Sequence, residues 1–134
     1  MNTTYFLNLV AGNVFGSKTS PAIPEKFYLG LSSTAPALDG TGSSEPADGT
    51  GYARVELTSL SAPAKGVVTN TAAIDFAEST AGWGTMTHFV IYDALTDGNL
   101  LMYGELSASR RVEAATIMTI KQGSLNLSVV NPTE

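Results

Sequence analysis

Thr87-His-Phe-Val-Ile-Tyr-Asp-Ala-Leu-Thr-Asp-Gly-Asn-Leu-Leu-Met-Tyr-Gly-Glu-Leu106 is the stretch on which the reading of this chain turns. Two runs of aromatic and aliphatic residues, Phe89 to Tyr92 and Leu100 to Tyr103, flank a polar segment containing Asp97, Gly98 and Asn99. Gly and Asn accept the positive φ that a tight reversal needs, so the stretch predicts a β-hairpin. Neither run alternates cleanly between apolar and polar residues. Both faces are therefore expected to be covered, with the hairpin in the middle of a sheet packed on something else.

Outward from the hairpin, short strand signals recur between turn residues. Upstream, Phe27, Leu29 and Leu31 share one face at a period of two, and Tyr52 to Thr58 alternates with Ala53, Val55 and Leu57 on one side. In that strand Arg54 and Glu56 are expected on the exposed face, as a solvated pair or an intersubunit contact. Gly66 to Asn70 and Ala72 to Phe76 are two further short strands, with Asn70 and Thr71 forming either the turn or a continuous bend between them. Downstream, Ser107 to Arg111 reads as a polar break and Val112 to Ile120 as a strand. Leu125, Leu127 and Val129 form the inward face of the last strand, and residues 131–134 a frayed or extended tail. About seven or eight short strands predict an all-β, antiparallel β-sandwich of jelly-roll or immunoglobulin-like type.

The N-terminal segment differs. Thr3 or Thr4 can cap a helix over residues 4–15 whose apolar positions Phe6, Leu9, Val10 and Val14 recur at helical spacing, with Gly16 placed for a left-handed cap. So short a helix is marginal in water unless its stripe is buried, on its own sandwich or on a neighbouring subunit. Pro21 and Pro24 then bring the chain to its first strand. The long aperiodic segment Thr34 to Gly51, with its Asp39-Gly and Asp48-Gly turns, is expected to be a contact arm. The organisation is a single domain over 1–134, with the helix in 1–16, the sandwich over 26–130 and the long loop at 34–51.

Composition narrows the function classes. Twelve acidic against seven basic residues give a net charge of -5, a surface that repels phosphate backbones and leaves nucleic-acid binding without an electrostatic footprint. Only 14% of the chain is charged, which suits a protein that covers part of itself in an assembly. Without cysteine there are neither disulfides nor thiolate metal sites, and nothing reports the redox compartment. Tyr5 to Val10 follows no basic residue and is far shorter than the roughly 20 residues of a membrane span. The expectation is a soluble chain without a signal peptide.

A hydrolytic triad built on His88, the only histidine, with Asp75 or Asp93, finds no serine in a Gly-x-Ser-x-Gly turn. No catalytic residue and no cofactor is assigned. Asp93, Asp97 and Asn99 are candidate calcium ligands, but the dense acidic spacing and closing glutamate of a calcium loop are missing, so no metal is assigned. Tyr28, Tyr52, Tyr92, Tyr103 and Trp83 could line a sugar groove, with Trp83, Tyr52 and Tyr103 the contacts to test. Their other role is packing, and Trp83 between Gly82 and Gly84 is expected in the core. Interface candidates are the helix residues Phe6, Leu9, Val10 and Val14, the loop residues Asp39 and Asp48, and the basic pair Arg110 and Arg111.

Six landmarks taken in order, Leu29 to Pro36, Glu45-Pro, Gly51 to Arg54, Gly82 to Thr85, His88 to Asp93 and Gly98 to Gly104, resemble a family of small tailed-phage virion proteins, often labelled tail-fibre or structural proteins. The resemblance runs from Phe27 to about Val129. It departs at Ser109, Arg110 and Arg111, where the family pattern has a small residue and a lysine. The resemblance implies a non-enzymatic component of the virion, assembled in the bacterial host cytoplasm and contacting capsid or tail subunits. Sparse charge, the apolar helix stripe and the long loop point separately to a homo-oligomer or docked subunit. The single compact domain without fibre repeats points to capsid decoration. The alternative is a tail-fibre module that binds a host surface glycan.

Overall fold

The computed structural model describes residues 1–16 and 23–128. The expectations for Pro21, for Val129 in the last strand and for the extended tail fall outside them. Among the described residues the order is α1 (Thr4–Val14), β1 (Tyr28–Ser32), β2 (Val55–Glu56), β3 (Val67–Thr69), β4 (Ile74–Asp75), β5 (Gly84–Tyr92), β6 (Leu100–Val112), β7 (Thr119–Ile120) and β8 (Asn126–Ser128). All strand pairs are antiparallel, and the fold is all-β and sandwich-like. A four-stranded sheet in the order β2-β1-β5-β6 faces two ribbons, β3-β8 and β4-β7.

The predicted hairpin is the spine of this sheet. β5 and β6 turn through Asp97 at φ 53° and Gly98 at φ 79°, the left-handed pair that a tight reversal requires. β5 is interior, pairing with β1 on its other side, but β6 is the terminal strand, a correction to the central placement of both. Its outer edge along Leu101 to Tyr103 is taken instead by the N-terminal residues. Thr3 N–H donates to Leu101 O at 2.9 Å and Tyr103 N–H to Met1 O at 3.0 Å. An otherwise open edge is thereby paired without another strand.

Both faces of the sheet are covered, as the lack of alternation implied. On one face Leu29, Leu31, Ile91 and Met102 join Phe76, Trp83, Met118, Ile120 and Leu125 of the ribbon layer in the main core. On the other, Val90, Tyr92, Leu100 and Tyr103 form a second buried cluster. The segment 34–51 lies over this second face. A Cβ at Gly30 would come within 2.6 Å of the Tyr52 hydroxyl and 2.7 Å of the Glu45 carboxylate, so glycine there lets the loop close onto β1.

Helix α1 runs almost as predicted. Thr3, wholly buried, caps it: its hydroxyl accepts from Phe6 N–H at 3.3 Å and donates to Leu100 O at 2.7 Å. One side chain thus fixes both the helix start and its seat on β6. Such a cap contributes about 1 kcal/mol. At the far end Gly16 N–H reaches Gly12 O at 3.1 Å, but Gly16 is not among the positive-φ residues, so the expected left-handed cap is replaced by a tightened last turn.

Three further boundaries need correction. Ser107 to Arg111 is not a break, since β6 continues through it to Val112. The polar residues there are exposed and need no apolar alternation. The expected strand Val112 to Ile120 is mostly a turn: Ala115 adopts φ 62° and its N–H donates to Ser79 O at 2.7 Å, leaving only β7 at the end. Tyr52 to Thr58 contributes only β2, because β1 offers pairing positions to Glu56 and Val55 alone. β3 and β4 do not pair with each other across Asn70. That buried side chain donates to Ala72 O and Lys121 O, both at 2.9 Å, and accepts from Leu125 N–H at 3.0 Å, pinning the bend between the two ribbons.

Candidate functional site

The long loop was expected to be an arm, yet it is folded onto the sheet. Ser33 N–H donates to Ser44 O at 3.0 Å, Ser44 N–H to the Ser32 hydroxyl at 2.9 Å, and Ala37 N–H to Thr41 O at 2.7 Å. The Asp39 carboxylate accepts from the Thr41 hydroxyl at 2.6 Å and its backbone N–H at 3.0 Å. Those two bonds, the hydroxyl's first, hold its pKa below the usual carboxylate range. Asp39 and Asp48 are both exposed in turns.

The loop is latched through Arg54. Sequence alternation placed Arg54 on an exposed face beside Glu56. The structure instead pairs Glu56 with Lys26 at 3.4 Å and buries Arg54, whose side chain is 7% exposed. Arg54 Nε donates to Glu45 Oε1 at 2.9 Å and Nη2 to Oε2 at 2.8 Å, a two-pronged grip. Nη1 donates to Ala94 O at 2.8 Å and Asp97 O at 2.7 Å, carbonyls of the β5-β6 turn. Burial opposes its charge, but the Glu45 carboxylate outweighs that and raises its pKa. The Tyr52 hydroxyl donates to Glu45 and accepts from Leu31 N–H at 3.1 Å. Burial first, and the Glu45 carboxylate second, push the Tyr52 phenol pKa well above its usual value.

Of the proposed sugar-contact aromatics, Trp83 and Tyr52 meet inside the main core while Tyr103 lies in the other cluster. Trp83 is buried, with Tyr52 edge-on at 5.3 Å between centroids and Phe76 at 6.4 Å, and its indole N–H donates to Thr50 O at 2.9 Å. Tyr103 lies in the second cluster with Tyr92, whose hydroxyl bonds to Ser43 at 2.7 Å. Tyr28 is half-buried on β1.

Nor do the calcium candidates converge. Asp93 closes the hairpin loop by accepting from Asn99 N–H at 2.8 Å and Asn99 Nδ2 at 3.1 Å, so Asn99 turns donors, not acceptors, towards it. Among the described residues no three His, Cys, Asp or Glu side chains are grouped to hold an ion. His88 Nδ1 bonds the adjacent Thr87 hydroxyl at 2.8 Å, while the Asp75 carboxylate accepts from Thr119 at 2.6 Å. The triad candidates therefore have separate partners.

The interface candidates divide. Leu9 is buried, Phe6 is half-buried against the main core and Val10 is half-buried, so the N-terminal part of the stripe docks on its own fold. Val14 is 62% exposed and the next residue, Phe15, 89%. Of the eight large apolar residues exposed among those described, six (Met1, Leu7, Val14, Phe15, Ile23 and Leu38) fall in the first 38 positions. The loop meets the helix there, Thr4 N–H donating to Leu38 O at 2.9 Å. Arg110 and Arg111 are exposed on β6, and Arg111 pairs with Glu113 at 3.1 Å.

Sequence reading missed Leu7, Phe15 and Leu38 on this apolar face. Helical periodicity would have found Leu7, which stands with Ala11 and Val14 at i, i+4 and i+7 and widens the chosen stripe on its Val14 side. Glu45, the residue on which the Arg54 latch depends, carried no such signal.

No curated protein matches the chain. The sequence model of the family described as podophage GP4 fiber I protein gp80 matches residues 2–128, which takes in the helix, the latched loop and every strand described above. The protein therefore belongs to the podophage GP4 fiber I protein gp80 family, a family of bacteriophage fibre proteins of the virion.

Proposed function

We propose that the protein is a non-enzymatic building block of the tail fibre, held in place by the apolar face of its N-terminal third against another fibre subunit, which can be a second copy of itself. Membership of a fibre family favours this over the capsid decoration expected from the sequence. The observation that carries it is the exposure of Leu7, Val14, Phe15 and Leu38 around an α-helix without a single charged residue. An uncharged surface helix with apolar residues on both sides is the pattern of an element covered by a partner.

The test is a Val14→Asp, Phe15→Asp double variant. Both side chains are exposed, so the isolated protein should melt within a few degrees of the wild type. Phage grown with the variant should lose the protein from purified particles, and light scattering should show the isolated chain shifted towards monomer. Antibody labelling of wild-type particles should mark the tail. Full incorporation of the double variant, or label spread over the capsid, would overturn the reading.

A further inference from the structure

β6 makes an excursion that its partner does not share. Met86 pairs with Arg110 but His88, two residues on, pairs with Glu105, so Leu106 to Ser109 stand opposite Thr87 alone. A bulge of this kind re-aims the strand and the side chains on it. Beside it lies a cavity of about 130 Å³ bounded by β6, β7 and the turn before β8. Phe89 forms one wall, and its ring presses on Gly104, where a Cβ would stand 2.7 Å from it. Met118, Ile120 and Leu125, all buried, provide apolar lining. Arg110, Lys121 and Glu105 also line it, and among the described residues none of the three enters an ion pair. Ser107, Thr119 and Ser124 add hydroxyls.

We propose that this cavity binds a saccharide that carries a carboxylate, such as a uronic acid. Two cations with no ion-pair partner among the described residues, against the one carboxylate of Glu105, leave the cavity wall net positive on a chain of net charge -5 and favour an anion. A guanidinium fork matches a carboxylate in shape. Hydroxyls and a carboxylate on the wall suit a polyhydroxylated ligand, and the phenyl wall suits the apolar face of a sugar ring. The inference develops the glycan-binding alternative on different residues from Trp83, Tyr52 and Tyr103. Of those, Trp83 and Tyr103 are buried and Tyr52 is half-buried with its hydroxyl held by Glu45, whereas this cavity opens to solvent. It is separate from the N-terminal docking face, so the two readings can fail independently.

Titration calorimetry and saturation-transfer NMR on the whole chain, with glucuronic acid, glucose and inorganic phosphate as probes, test it. Glucuronic acid should bind saturably at millimolar concentration, and glucose at least about tenfold more weakly. An Arg110→Ala, Lys121→Ala double variant, truncating two exposed side chains, should keep its melting temperature and its incorporation into particles while losing glucuronic acid. The proposal is overturned by no saturable binding of glucuronic acid up to about 10 mM, by binding that survives the double variant, or by phosphate binding as tightly as glucuronic acid, which would mark a bare anion site.

Discussion

The guanidinium of Arg54 lies 3.6 Å from the ring centroid of Tyr92, stacked on the β5-β6 hairpin while its two prongs hold Glu45 of the long loop. One cation therefore joins the loop, the hairpin turn and the second buried cluster. Such a pair is costly to break from one side, because the partner left behind keeps a desolvated charge. Arg54→Ala should lower unfolding stability by about 3 kcal/mol, the low end for a buried pair because Glu45 is 20% exposed. The Glu45→Ala, Arg54→Ala double variant should lose less than the sum of the two single changes. Arg54→Lys should not rescue, since an ammonium cannot hold two carboxylate oxygens and stack at once. Denaturant titrations of the wild type and the four variants check this; strict additivity would mean that the pair is not coupled.

Tyr52 makes the fold sensitive to alkali. Its phenol pKa is raised in the folded protein, first by burial and then by Glu45, so below about pH 10 the group is protonated in both folded and unfolded chains and costs nothing. Above that pH the unfolded chain releases the proton and the folded one retains it. Stability should fall by up to about 1.4 kcal/mol per pH unit from this residue alone. Tyr52→Phe removes the effect, and the difference between the two stability profiles from pH 8 to 11 isolates it from the other four tyrosines. Parallel profiles across that range would show that the phenol ionises freely in the native state.

Trp83 anchors the ribbon layer to the loop. Trp83→Ala removes the edge contacts with Tyr52 and Phe76 and leaves Thr50 O without its indole donor, so it should cost about 3 to 5 kcal/mol. Thermal unfolding reads this directly. An unchanged melting temperature would place the indole outside the core and return it to the list of surface contacts.

Features legible in the order of residues are local ones. The φ > 0 demand at Asp97 and Gly98, the period-two face of Phe27, Leu29 and Leu31, and the threonine before an apolar helical stripe each act within a few residues. The hairpin, β1 and α1 followed from them. Trp83 was legible as core from its flanking glycines, and the family was legible in the order of six short landmarks. Tertiary structure decided whatever depends on a partner distant in sequence. Alternation reported that Arg54 points away from Val55, but not that Glu45 and the carbonyls of Ala94 and Asp97 wait on that side, so a residue read as solvated is buried. The loop of residues 34–51 has no periodicity because hydroxyls and backbone groups, rather than an apolar stripe, fix it to the sheet. The bulge at Leu106 to Ser109 and the cavity beside it depend on register between β5 and β6, set by pairing over the whole hairpin and not by any residue within the bulge. Short-range sterics and hydrophobic period are written in the order of residues. Which polar groups meet, and which apolar ones are left for a partner to cover, is settled only when the chain closes on itself.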